Sequence, residues 1–325
     1  MFQVCGDGFC NSPSEDCFFC PQDCGACPCG TLLTKWGSTG TGDGKFDRPD
    51  GVVVNPENAH HLFVVDQNNN RIQEFNDTGF FLSKWGSFGV GDGEFRLPAG
   101  IAMDLSERIY VADSGNDRIQ KFTTFPSTAF VTKWGSHGTG DGQFDVPTGV
   151  AVDAPLAGDY SVYVADSNND RIQKFTSTGT FVTKWGTSGI GDGQFNNPHG
   201  VAVDAAGNIY VTDTYNHRIQ KFTNTGGFLS KWGTSGTGDG QFQYPDGIAV
   251  DGSGDLLVAD SGNYRIQKFT SAGVFVTKWG TSGSGDGQFS GPTGVSVDGG
   301  GHVYVTDSYN GTLPSNDRVE KFSCP

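Results

Sequence analysis

Between Cys29 and Cys324 the chain has no cysteine, and nowhere in its 325 residues does an apolar run reach the length of a bilayer-spanning helix. No membrane span is therefore expected. Charge is scarce at 18% of residues and mostly negative, with 21 basic side chains against 36 acidic ones and a formal charge of -15. That balance opposes a phosphate backbone over most of the surface, so nucleic acid is excluded as an expected partner. An N-terminal secretory core is also missing, since Met1-Phe2-Gln3-Val4 runs straight into Cys5. Seven cysteines nevertheless crowd residues 1–29, a distribution that suits disulfides in an oxidising compartment. The two facts together predict a mature or trimmed form of a longer product, found outside the cell or at its surface. Fifty glycines and fourteen prolines leave little room for long helices. They point to a turn-dense all-β protein.

What is present is a repeat. The six tryptophans Trp36, Trp85, Trp134, Trp185, Trp232 and Trp279 are spaced 49, 49, 51, 47 and 47 residues apart, and each is followed thirteen residues later by a proline, Pro49 to Pro292. Periods of this size decide an architecture. Each unit contains four short β patterns, in the fourth unit Val201-Ala202-Val203, Ile209-Tyr210-Val211, Arg218 to Phe222 and Phe228 to Trp232. The first two are apolar runs suited to burial on both faces, and the last two alternate as half-exposed strands do. Six such units predict a six-bladed β-propeller of four-stranded antiparallel blades.

The run Pro198-His199-Gly200-Val201-Ala202-Val203-Asp204, then Gly207 to Asp213, then Asn216 to Phe222, resembles the NHL repeat. The other units follow it, so the resemblance covers roughly residues 31–322. It implies a propeller but little about activity, because such propellers serve RNA binding, protein binding, and lyase or hydrolase chemistry.

Thr31 to Gly37 is a fourth strand that precedes every complete unit, while Asp317 to Phe322 is a third strand with no successor. The N-terminal strand is thus expected to close the last blade. An antiparallel pairing of the two would put Cys29 and Cys324 beyond the same end and predicts a disulfide between them. The chain-entropy relation assigns a loop of that length about 5–6 kcal/mol as an upper bound. The domain division that follows is a stapled Cys-rich segment over residues 1–30 and a propeller over 31–325. Within the segment, Cys5, Cys10, Cys17, Cys20, Cys24 and Cys27 are expected to form three further bridges, zinc or iron–sulfur being the competing uses of Cys-x-x-Cys.

Insertions at 55–66, 124–126 and 154–157 fall in hairpins of one face; the other face carries the connectors, and there only unit six departs, within Ser308–Asn316. The position between Pro and Gly in each unit holds Asp50, Ala99, Thr148, His199, Asp246 and Thr293, which would ring the channel mouth. His199, Asp50 and Asp246 are candidate ligands for zinc or calcium, against the simpler reading of solvated polar groups; no other cofactor is expected. The remaining histidines, His60, His61, His137, His217 and His302, read as surface turns, and no nucleophile constellation stands out. The repeated Gly-Asp-Gly and Asp…Asn-x-Arg patterns read as turn and scaffold chemistry. Sequons at Asn76 and Asn310 are candidate glycosylation sites.

The leading functional reading is a secreted, non-enzymatic interaction or structural scaffold, a subunit of an extracellular filament or surface layer that binds protein and self-assembles through the N-terminal segment. One alternative is a metal-dependent lyase or lactone hydrolase acting at the channel mouth. A second is a peptide-recognition module on the connector face.

Overall fold

The computed structural model describes residues 29–58, 61–124, 127–153, 160–308 and 316–324. Six four-stranded antiparallel sheets span residues 49–85, 101–134, 147–185, 198–232, 245–279, and 292–323 together with 31–36. These are blades one to six. Within a blade the strands run in sequence order from the channel outwards, except in blade six, where the N-terminal strand Thr31–Trp36 takes the outermost place.

Burial follows strand position, with one departure from the expected pattern. In blade one the second strand is buried from Leu62 to Asp66 and the fourth, Phe81–Trp85, alternates, but the third buries Arg71, Ile72, Gln73 and Phe75 instead of standing half exposed. The polar members of that strand are taken in because a connector covers them. Arg71 donates to the carbonyls of Thr41, Gly42 and Lys45 at 2.7–2.9 Å, and Gln73 donates to Lys45 O at 2.7 Å. Arg71 Nε also donates to the wholly buried Asp66 at 2.6 Å. Burial pushes the Asp66 carboxyl up, while the Asp47 amide, Asn69 and Arg71 pull it back. Every buried partner in this network is satisfied, which is the condition under which a polar core is tolerated.

The outer strand ties down the same connector. Lys84 pairs with Asp43, and the same link recurs as Lys133–Asp92 at 2.7 Å, Lys184–Asp141 at 2.7 Å, Lys231–Asp192 at 2.6 Å, Lys278–Asp239 at 2.5 Å and Lys35–Asp286 at 2.5 Å. The aspartate of each Gly-Asp-Gly is therefore the clasp of its connector as well as a turn residue.

The core lies between blades. Phe46, Phe75, Val54, Leu62 and Val64 pack with Tyr304 and Val319 of blade six, and Trp36 closes the rim of the cluster. Phe46 meets Phe75 with ring centroids 5.5 Å apart. At the rim, Trp36 lies flat on Gly79 of the next blade, where an added Cβ would come within 2.5 Å of the indole.

Closure is as expected. Leu32 to Trp36 pairs antiparallel with Val319 to Phe322, and Cys29 is bonded to Cys324. The ends reproduce a hairpin turn. Gly30 has φ +91° and donates to Ser323 O at 2.8 Å, as Gly79 with φ +87° donates to Asn76 O at 3.0 Å. Trp279 covers Gly30 just as Trp36 covers Gly79. The disulfide stands where the other blades have continuous chain.

Candidate functional site at the channel mouth

The inner strands meet through six glycines, Gly51, Gly100, Gly149, Gly200, Gly247 and Gly294. A Cβ at any of them would come within 2.2–2.6 Å of a carbonyl oxygen of the next blade, so only glycine allows the ring to be this tight. The residue before each glycine then points to the connector face. Asp50, Thr148, His199, Asp246 and Thr293 line the constriction, with a volume of about 70 Å³, and with Ala99 they floor a wider mouth of about 250 Å³. The expected ring is formed.

Because the channel is narrow, blade one and blade four face each other closely enough for His199 and Asp50 to interact. His199 Nδ1 lies 2.5 Å from Asp246 Oδ1. Burial alone would lower the imidazole pKa, but Asp246, by charge and hydrogen bond, and then Asp50 outweigh it and push it up to about 9. Burial pushes Asp50 up to about 6, reinforced by Asp246 and opposed by His199 and Arg48. Gln67 donates to Asp50 Oδ2 at 2.9 Å. The result is an imidazolium held by one carboxylate beside a second carboxyl that titrates near neutrality. One imidazole and two carboxylates are donors that zinc or calcium accept, provided the imidazole gives up its proton.

A second ring surrounds the first and was not singled out in the sequence. It consists of the residues just before five of the six prolines: Arg48, Leu97, Val146, Asn197 and Tyr244 all have φ between +46° and +57°. A residue before proline ordinarily favours extended backbone. Here its N–H is held by the side chain ending the neighbouring blade's turn: Leu97 by Asn70 at 2.9 Å, Val146 by Asp117 at 2.8 Å, Asn197 by Asp170 at 2.7 Å and Tyr244 by His217 at 3.1 Å. The signal was the variability of that position among otherwise uniform units. Leu97 and Val146 give the mouth one apolar wall, and Arg48 with Gln67 a polar one. Tyr244 is 49% exposed and packs edge-on against Tyr215, itself 54% exposed, at 5.9 Å.

His137 is on the surface, as expected, but its ligand atoms lie with those of Asp117 and Asp145 within 4.8 Å of one another. His137 Nδ1 is 3.2 Å from Asp117 Oδ2. This donor set also suits zinc. His217 sits at a turn, its ring nitrogen accepting from the Tyr244 amide, whereas His61 and His302 each open a second strand instead, bonded to Glu74 and to Asp298. At the far mouth, the carboxylates of Asp104, Asp204 and Asp298 are consumed by their own hairpins, each accepting from turn amides and from the hydroxyl of Tyr110, Tyr210 or Tyr304. Asn76 ends a strand, with its Oδ1 accepting from Thr78 and Phe80 amides. His60, Asn310 and the cysteines at 5, 10, 17, 20, 24 and 27 lie outside the described residues.

A closed ring of six four-stranded blades with glycines at its axis defines a β-propeller. The chain carries NHL repeats, matched at residues 95–122, 195–222, 242–269 and 289–313, within this six-bladed propeller. No curated protein matches the chain. Among solved structures it is similar to a protein of unknown function from Bacteroides thetaiotaomicron, with 18% identity and a TM-score of 0.69 over 90% of this chain and 75% of that one. A gluconolactonase from Xanthomonas campestris aligns at 14% identity and TM-score 0.61, covering 86% and 87%. A virginiamycin B lyase from Staphylococcus aureus, solved with quinupristin, aligns at 13% and 0.58, covering 90% and 99%. At these identities the likeness is one of fold.

Proposed function

We propose that the protein is an extracellular or cell-surface, non-enzymatic scaffold that works by binding protein. The connector face receives a partner, and residues 1–30 link copies into a filament or surface layer. The observation that carries this reading is the contrast at the mouth. Its one imidazole is already engaged by Asp246 at 2.5 Å, whereas Leu97 and Val146 stand open on its wall and Tyr215 and Tyr244 are about half exposed on the same connector face. Tyrosines flanked by apolar side chains are what protein interfaces use. The Cys29–Cys324 bond supports an oxidising location. Light scattering and electron microscopy on the native protein at high concentration test assembly; the expected result is a particle larger than one chain, and a strictly monomeric particle removes the filament or layer.

The second reading is a metal-dependent lyase or lactone hydrolase at the same mouth. It is favoured by the meeting of His199, Asp246 and Asp50 and by the fold shared with a gluconolactonase and a lyase. Elemental analysis decides between them. Zinc or calcium bound stoichiometrically and lost in His199→Ala would support the enzyme, and equal metal content in both proteins would remove it.

A further inference from the structure

Five blades place a fully buried glutamine two residues after the network arginine: Gln73, Gln120, Gln173, Gln220 and Gln267. Each amide nitrogen donates to its blade's aspartate at 3.0 Å and to a connector carbonyl at 2.6–2.8 Å. Each amide oxygen accepts from a connector glycine at 3.0 Å. Blade six has Glu320 there, also fully buried. An ionised glutamate has no hydrogen to donate, so it would set acceptor against acceptor at both Asp307 and Gln288 O.

The surroundings register the mismatch. The Glu320 oxygens, although the Arg318 guanidinium and the Gly287 amide stand beside them, meet neither with well-formed geometry, and Arg318 Nε completes no hydrogen bond. That nitrogen stands 3.4 Å from Asp307, against 2.6–2.7 Å for the same pair in the other five blades, and Arg318 Nη2 has turned to within 2.9 Å of Glu320 Oε1.

We propose that Glu320 is a proton-operated latch on the blade that closes the ring. Protonated, its carboxylic acid donates to Asp307 or to Gln288 O as the glutamine amides do, and blade six grips its connector. Deprotonated, it leaves a buried negative charge beside Asp307, and the grip loosens. The charged groups facing it come from each neighbouring element: Arg318 on its own strand, Asp307 on the second strand, and Lys35, its register partner on the N-terminal strand, which is itself bound to Asp286 of the connector at 2.5 Å. Arg318, Lys35 and the Gly287 amide favour the ionised form; burial, the largest influence, and Asp307 oppose it and push the carboxyl up to about 7. A carboxyl raised in the folded state costs stability as pH rises from its unfolded value through its folded one. The latch is therefore tight in mild acid and slack above neutrality.

Thermal unfolding of the full disulfide-intact chain and of Glu320→Gln, from about pH 5 to about pH 8.5, tests this. Gln already occupies this place in five blades, so the variant is expected to fold. Its Tm should exceed wild type by several degrees at the alkaline end, with the two curves converging toward the acid end. Parallel curves, or a wild type more stable than the variant at alkaline pH, would overturn the proposal. Infrared difference spectra give an independent reading: a protonated carboxylic acid band near pH 6 in wild type, absent from Glu320→Gln, supports the latch, and identical spectra refute it.

Discussion

Blades four and six are built on one template, and two of their differences bear on how each is held together. In blade four the third and fourth strands are joined by the chain, through Thr223 to Gly227, and the buried pair is Arg218 with Gln220. In blade six a disulfide replaces that link and Glu320 replaces the glutamine. The geometry is almost unchanged, yet the way it is held is not. A peptide link is permanent, whereas blade six depends on the redox state of Cys29 and Cys324 and the protonation of Glu320. The ring therefore has one seam, and conditions decide how firmly it is shut.

The largest expected effect comes from cutting the seam. Cys29→Ser with Cys324→Ser should lower stability by no more than about 5–6 kcal/mol, the full loop-closure term, with about 2–5 kcal/mol usual for loss of a native disulfide. The strand pairing of Leu32 to Trp36 with blade six remains to oppose opening. Denaturant unfolding with and without reductant measures it. No loss would mean that the closure is held by packing alone.

Next, the mismatch of blade six can be moved. Gln220→Glu places a carboxyl against Asp213 and Gln194 O, which the native amide contacts at 3.0 and 2.7 Å. The variant should lose about 2–3 kcal/mol at alkaline pH and recover most of it in mild acid, as a shift of roughly two pKa units requires. An equal loss at both ends of the range would show that the penalty is steric. In that case the protonation of Glu320 would not set blade six apart from blade four.

How much of this was legible in the sequence follows from the repeat itself. Trp36 and its counterparts, each with a proline thirteen residues on, fix the blade boundaries, and the orphan strand at Thr31 fixes the closure and the Cys29–Cys324 bond. The Pro-x-Gly positions likewise located His199, Asp246 and Asp50. Two things were hidden. The burial of Arg71 and Gln73 depends on a connector folding back over its own blade, a tertiary event with no local signature. The outer ring at Leu97 and Val146 needs a positive φ before proline, which local preference opposes and only the neighbouring blade's Asn70 or Asp117 secures.

At the channel mouth the neighbouring blades four and five are linked by a charge pair that blade six lacks, since Thr293 holds the corresponding place. With the His199 pKa raised to about 9, the pair contributes fully below the unfolded value of about 6.5 and fades as pH rises through about 9. Asp246→Asn should cost about 1–2 kcal/mol near pH 6, with the difference shrinking above pH 9. Chemical denaturation at the two pH values, with an NMR titration of the imidazole, checks this. A His199 that titrates unchanged in the variant would place the cause of its shift elsewhere.

The smallest effect belongs to the surface clasps, where blade six and the others are alike. Lys84 and Asp43 are about half exposed, with side-chain accessibilities of 43% and 54%, so water screens their attraction and ordering the lysine costs entropy. Lys84→Ala should therefore cost less than about 1 kcal/mol, and less still in high salt. The connector it releases is still held by Arg71 through three carbonyls. Amide exchange around Asp43 should rise only modestly, and a global loss of stability would mean that the clasps, rather than the buried arginines, fasten connector to blade. Lys35 stands apart from its equivalents, because it alone spans the seam, joining the N-terminal strand to Asp286 and holding that carboxyl below the usual range. Lys35→Ala should consequently match Lys84→Ala while the disulfide is intact and exceed it once Cys29 and Cys324 are reduced.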